Sequence, residues 1–221
     1  MSKPRLFYFD IKGRAEPIRL ALAAAGVDFE FEAVNKEVIK SDAEHYPFFQ
    51  APRYIDDEVD MVQSMGILRH VARKFDLYGK DHAEMARVDE VIEGCSDLLA
   101  KMIMEYMIKA KEDPGAKDAY WAGRIDPASA AGATTYGAHM ALLDRLLARS
   151  SSGYYLDSGL SVADIVVTFF MQLHMEMFSC ESLAEQWPSL MALHDRVLAL
   201  PRIAAYPAGP LHPAKMLFSS A

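Results

Sequence analysis

The spacing of hydrophobic and polar positions changes character once along this chain, near residue 76. Leu6 to Phe9 is an aromatic and aliphatic run suited to a buried strand, closed by the turn residues Lys12-Gly13. Glu16-Pro17 suits a first helical turn and Gly26 the end of that helix. From Val27 to Val34, Phe29, Phe31 and Ala33 alternate with Asp28, Glu30 and Glu32, the period of a strand with one wet face. Such a strand can pair in parallel with the first through a right-handed crossover. Residues 35 to 49 are mixed and read as a loose helical or irregular segment. Arg53 to Ile55 and Val59 to Val62 read as two strands turned at Asp56-Asp57. Ser64 reads as the N-cap of a helix through Ile67, Leu68, Val71 and Ala72.

The order β-α-β, irregular segment, β-β-α predicts a thioredoxin-like α/β domain with a four-stranded mixed sheet over residues 1–76. Residues 77–82, with Gly79, form a linker. Residues 83–221 then turn wholly helical. Val88, Val91, Ile92, Cys95, Leu98, Leu99, Met102 and Ile103 recur in threes and fours and predict one long helix from Glu84 to Lys111. Asp113-Pro114-Gly115 breaks it, and a second helix is expected over Ala128 to Arg149. In Ser161-Val162-Ala163-Asp164 the serine can cap a backbone amide while the aspartate reaches back, opening an apolar helix to about Met177. Pro188 opens another to about Leu200, and Pro207, Pro210 and Pro213 exclude regular helix in the tail.

Composition narrows the class. Of 221 residues 52% are hydrophobic and 24% charged, the profile of a folded domain protein rather than a disordered one. No apolar run reaches the roughly 18 residues of a membrane span, and no signal-peptide pattern precedes the first strand. The chain is therefore expected in the cytoplasm. Two cysteines, Cys95 and Cys180, are too few for a disulfide framework or a Cys-x-x-Cys site. With 23 basic against 31 acidic residues the net charge of −8 argues against a nucleic-acid partner. His174-Met175-Glu176-Met177 offers one histidine on an apolar helix, which is a core residue rather than a metal site, so no metal is expected.

The strand-turn-helix unit at the start puts Tyr8 at the top of a strand, Ile11 and Lys12 in a loop and Arg14 at a helix mouth, where α/β units bind ligands. Tyr8 followed by Gly13-Arg14-Ala15-Glu16 resembles the opening of a tyrosine-type cytosolic glutathione transferase. Ala51-Pro52, Gln63-Ser64 and Ser161-x-Ala-Asp164 recur in that family's order and spacing, so the resemblance covers almost the full length. Residues 63 to 80 look like the pi class, with sigma-like features beside them.

The resemblance implies a homodimeric detoxification enzyme that uses glutathione as co-substrate and conjugates it to hydrophobic electrophiles. Tyr8 would donate a hydrogen bond to the glutathione sulfur, assisted by Arg14. Gln50, Ala51, Pro52, Gln63 and Ser64 would hold the tripeptide, with Ala51-Pro52 a cis bond and Asp97 reaching the glutathione amine across the dimer. Phe48 would insert into the partner subunit, and Ile11, Met104 and Met107 would line the electrophile pocket, with Leu217 or Phe218 as further candidates. The chain departs from the family at Ile39, which stands for its tryptophan, and at Ala43, which stands for its lysine, with Lys36 or Lys40 as replacement cations; Asp157 stands where a glycine is usual, and the proline-rich tail is unlike the usual final helix. A glutathione-dependent isomerase or peroxidase shares every thiol-activating residue, and a non-catalytic structural or carrier relative is the reading from another class.

Overall fold

The computed structural model describes residues 3–129, 139–206 and 213 of the chain. The described residues fall into two compact units, one from Met1–Tyr78 and Arg196–Ala221, the other from Gly79–Asp195.

The first unit is built on a four-stranded mixed sheet in the order β2-β1-β3-β4. Strand β1 (Arg5–Tyr8) pairs in parallel with β2 (Glu30–Ala33) and antiparallel with β3 (Arg53–Ile55), which pairs antiparallel with β4 (Asp60–Val62). Helix α1 (Glu16–Ala25) makes the crossover from β1 to β2, with Pro17 in its first turn and Gly26 ending it at φ 71°, a left-handed conformation that glycine takes without steric cost. Its last carbonyls are capped from a distance. Arg202, on the short helix α10 (Pro201–Ala205), donates to Ala25 O at 2.9 Å, a cation at the negative helix end. Leu6, Ile18 and Leu22 meet Ile67, Leu68 and Val71 of helix α3 (Ser64–Lys74) in a core where all six are fully buried. Each such side chain contributes roughly 1.5–3 kcal/mol on leaving water. This is a thioredoxin-like domain.

Between β2 and β3 lies helix α2 (Lys36–Ser41), with Asn35 accepting the Val38 amide at 2.9 Å as N-cap. The β3–β4 hairpin is anchored through Asp56, whose side chain is 1% exposed. It accepts from His70 Nε2 at 2.8 Å, Lys74 Nζ at 3.0 Å, Tyr54 Oη at 3.2 Å and the amides of Glu58 and Val59. Burial pushes the carboxyl up, but the bonds from His70, Glu58, Lys74 and Val59 outweigh it and hold Asp56 well below the usual carboxylate range. A depressed carboxyl stabilises the fold above its unfolded value of about 3.9 and loses that contribution as pH falls through its native value. Thermal melts of Asp56→Asn are therefore expected to show a lower midpoint than wild type at neutral pH, and a shallower further fall on acidification. Parallel pH profiles for the two proteins would remove Asp56 from the account.

The regular elements among the described residues of the second unit are helices, beside one isolated bridge, Leu156 to Gly159. Helix α4 (His82–Lys101) is capped by the Asp81 side chain on the Glu84 amide at 2.9 Å and buries Val88, Val91, Ile92, Cys95, Leu98 and Leu99. The periodicity predicts one helix to Lys111, but the chain widens into π turns over Met102–Ile108 and closes with a 3₁₀ turn over Lys109–Lys111. A second π segment, Trp121–Ile125, follows the short helix α5 (Ala116–Tyr120). Glu105 and Arg124 join the two segments by a bidentate ion pair at 2.6 and 2.8 Å. Of the helix expected over Ala128 to Arg149, helix α6 (His139–Leu147) is observed, and residues 130–138 lie outside the described residues.

Helix α7 (Val162–Met175) is buried along nearly its whole length, as its apolar sequence predicts. Its start carries the capping box: Asp164 accepts the Ser161 amide at 2.7 Å and hydroxyl at 2.9 Å, and also the Tyr155 amide at 2.8 Å. Helices α8 (Cys180–Gln186) and α9 (Pro188–Leu198) complete the helical set. Most of the proline-bearing tail, with Leu217 and Phe218, lies outside the described residues.

Candidate active site

Register decides what meets at one end of the sheet. Phe7 is opposite Arg53 and Arg53 is opposite Val62 in antiparallel pairs. The chain leaving β1 at Tyr8, entering β3 at Ala51-Pro52 and leaving β4 at Gln63-Ser64 therefore passes the same edge. The Ala51-Pro52 bond is cis, as the resemblance implies.

Tyr8 is 5% exposed, and its phenol oxygen accepts the Arg14 backbone amide at 3.0 Å. Burial pushes this phenol above its ordinary value, against the lowering effect of the Arg14 amide and of the Arg14 and Arg19 charges. Tyr8 thus keeps its proton at neutral pH. With the oxygen's acceptor role taken by Arg14, the O–H is left as a donor, polarised by the bond it receives.

Gly13 makes this geometry possible. At φ +42° it sits in the left-handed region, and a Cβ there would lie 2.7 Å from the Tyr8 oxygen and 2.9 Å from its ring. Gly13→Ala is accordingly expected to displace the hydroxyl and lower turnover about tenfold or more, with a melting midpoint also reduced. Unchanged turnover in a folded Gly13→Ala protein would show that the hydroxyl position is not critical.

Arg19 holds the loop that carries Gly13 and Arg14. Fully buried, it donates through Nη1 to the carbonyls of Ile11 and Lys12, both at 3.1 Å, and meets Glu16 Oε2 at 3.4 Å. Its guanidinium carbon lies 5.9 Å from the Tyr8 ring centroid.

Tyr8 and Arg14 border a cavity of about 520 Å³, with Phe9, Lys36, Ile39, Lys40, Phe49, Gln50 and Ala51. The residues lining it carry three cationic side chains and no acidic one, in a chain of net charge −8. Such a wall concentrates field on an anion. Lys36 and Lys40, four apart on α2, project from one helix face, while Ile39 between them is 3% exposed.

The start of α3 differs from expectation in one detail. Gln63, not Ser64, occupies the N-cap position, with φ 78° and ψ 102°, and its side chain makes no capping bond. Ser64 is the first helical residue and is buried. The helix N-terminus presents its amides all the same.

The remaining expected site residues are placed as follows. Ile11 is buried in the first unit, and Phe48 there is 60% exposed. In the second unit Asp97 is exposed, Met104 is 58% exposed and Met107 is half-buried. His174 is buried, its Nδ1 2.6 Å from Phe170 O and its Nε2 2.9 Å from Tyr120 Oη, and burial lowers its pKa to about 4. Among the described residues no group of three His, Cys, Asp or Glu side chains is placed to hold a metal ion. None of the described helices is long and apolar enough to cross a membrane. Arg19 and Phe49 carry no mark in the sequence as site residues. A lone arginine three residues after a glutamate gave a signal too common to single out, and nothing in the local sequence marks residue 49.

Comparison with known proteins places this geometry. Residues 4–73 match the glutathione S-transferase N-terminal domain and residues 128–209 its C-terminal domain. A glutathione S-transferase of Dirofilaria immitis is 35% identical over 207 residues, covering 91% of this chain and 90% of that protein. Human glutathione S-transferase A2 is 32% identical over 218 residues, 96% and 92% of the two chains. The solved pi-class glutathione S-transferase of Onchocerca volvulus superposes with a TM-score of 0.77 at 30% identity, over 94% of this chain and 93% of that one. The chain belongs to the glutathione S-transferase family. Its activity is that of a glutathione transferase, in a family that takes glutathione as a substrate.

Proposed function

We propose that this transferase joins glutathione to hydrophobic electrophiles, with the Tyr8 hydroxyl donating to the glutathione sulfur and keeping it anionic. The observation that carries the reading is a buried phenol, its oxygen already bonded to the Arg14 amide, at the wall of a cation-lined cavity. A hydrogen bond to a charged acceptor is worth about 1.5–3 kcal/mol, and roughly 1.4 kcal/mol moves a pKa by one unit. One such bond lowers a thiol from about 8.5 toward roughly 6.5–7.5. The thiol proton leaves to solvent. The thiolate then attacks the electrophilic carbon, the C–S bond forms, and a leaving group such as chloride departs with its bonding pair.

In this reading Arg14 supports the thiolate, and Gln50, Ala51, Pro52, Gln63 and Ser64 hold the tripeptide. Two carboxylates and one amine ask for cations and a helix N-terminus, and Lys36, Lys40 and the start of α3 supply them. The lysine pair compensates for the departures at Ile39 and Ala43. Ile11, Met104 and Met107 receive the electrophile, and the exposed thioether of Met104 suits a soft apolar partner. The protein works as a homodimer in which Phe48 and Asp97 act across subunits, and their exposure in the single chain leaves them available for that. The tyrosine-type class, pi/sigma-like, fits Tyr8, and the pi-class solved relative supports its pi side. The domain limits follow suit: residues 1–76 bind glutathione, 77–82 link, and 83–221 carry the electrophile site.

Calorimetry with glutathione, followed by turnover of an aromatic halide, tests the assignment. Heat of binding at millimolar ligand and glutathione-dependent halide release are expected. No heat at that concentration would favour a non-catalytic relative.

A further inference from the structure

We infer that Phe49 is a binding residue of the tripeptide cavity whose ring shields from water the ion pairs between a ligand carboxylate and Lys36 or Lys40. The inference deepens the glutathione reading above and rests on it.

Three observations converge on this residue. Phe49 has φ +50°, in the left-handed region that a bulky aromatic side chain seldom adopts. The strain is imposed by a firm turn: the Phe49 amide donates to Tyr46 O at 2.8 Å, and Tyr46 is 2% exposed, with the Arg53 guanidinium 5.9 Å from its ring. Glycine would fit this position without strain.

Packing does not explain the aromatic either. Phe49 is 54% exposed in the single chain, so its own chain leaves much of its apolar surface uncovered. A strained, half-exposed phenylalanine serves neither the turn nor the core, and strain of this kind persists at ligand-handling positions.

The third observation is location. Phe49 lines the cavity beside Gln50 and Ala51, in the same wall set as Lys36, Lys40 and Arg14. A carboxylate paired with a lysine at an open surface is weakened by water and salt. An apolar ring over such a pair lowers the local dielectric and strengthens it. The ligand in turn covers apolar surface that the free protein leaves wet. A small peptide with anionic ends and short aliphatic segments meets both demands.

The test is calorimetry of glutathione binding to full-length wild type, Phe49→Ala and Phe49→Gly, at low and high salt, with thermal melts and sedimentation on each. Both variants are expected to bind about five- to tenfold more weakly at low salt, and the gap should widen at high salt as the unshielded pair is screened. Phe49→Gly should melt at or above wild type, because the left-handed strain is relieved. Variant affinities within about twofold of wild type, or a gap that does not widen with salt, would overturn the inference. So would a changed oligomeric state with unchanged affinity, which would make Phe49 a subunit contact. A wild type that gives no heat would overturn the glutathione reading itself, a result distinct from a binding wild type with unaffected variants.

Discussion

Tyr8→Phe is expected to lower turnover of an aromatic halide about ten- to a hundredfold, while glutathione affinity stays within about threefold of wild type. The substitution deletes one oxygen and leaves a ring of nearly the same shape at a position that is 5% exposed as tyrosine. The proposed binding groups at Gln50, Ala51 and Ser64 are untouched. What goes is the donor proposed to favour thiolate over thiol, worth about 1.5–3 kcal/mol. The deletion also leaves the Arg14 amide without its 3.0 Å acceptor, so a small loss of stability accompanies the kinetic effect. Steady-state kinetics at saturating glutathione make the check. Wild-type turnover in Tyr8→Phe would remove the phenol from the mechanism.

The second large effect is expected at Arg19. Arg19→Met keeps much of the volume but leaves the Glu16 carboxylate without its guanidinium and the Ile11 and Lys12 carbonyls without their 3.1 Å donor. Removing one partner of a buried pair costs about 3–5 kcal/mol. For a chain of this size that is a fall of about 6–20 °C in melting midpoint. Glu16→Gln combined with Arg19→Met should recover part of the loss, because no buried charge is then left behind. Turnover should also fall below the stability-corrected value, since the freed loop carries Gly13 and Arg14. A thermal melt within about 2 °C of wild type would mean that Arg19 is not the loop's anchor.

Much of this arrangement is legible in the sequence because its determinants are local. The strand-turn-helix around Tyr8 is spelled by an aromatic run, Gly13, Pro17 and Gly26, each fixing backbone within a few residues. The capping box at Ser161 and Asp164 is equally local, and the structure contains it. What sequence reasoning could not reach depends on distant partners. Gln63 takes a positive φ between β4 and α3, a conformation that glutamine does not favour and its local sequence does not announce. The π turns at Met102–Ile108 preserve a spacing near threes and fours, so periodicity reads through them as one helix. Lys36 and Lys40 are legible as replacement cations from the sequence, and their four-residue spacing puts them on one helix face; that they line one cavity with Arg14 is seen only in the fold. Helix α2 itself, short and weakly patterned, is stabilised by its Asn35 cap and by burying Ile39.

The central proposition is that a neutral phenol turns the bound thiol into an anion, and ultraviolet titration of the thiolate in the protein–glutathione complex measures it directly. Wild type should show the bound thiol ionising near roughly 6.5–7.5, with no Tyr8 titration below about 10 because burial raises that phenol. In Tyr8→Phe the bound thiol should return toward about 8.5. The same thiol pKa in both proteins would contradict the account.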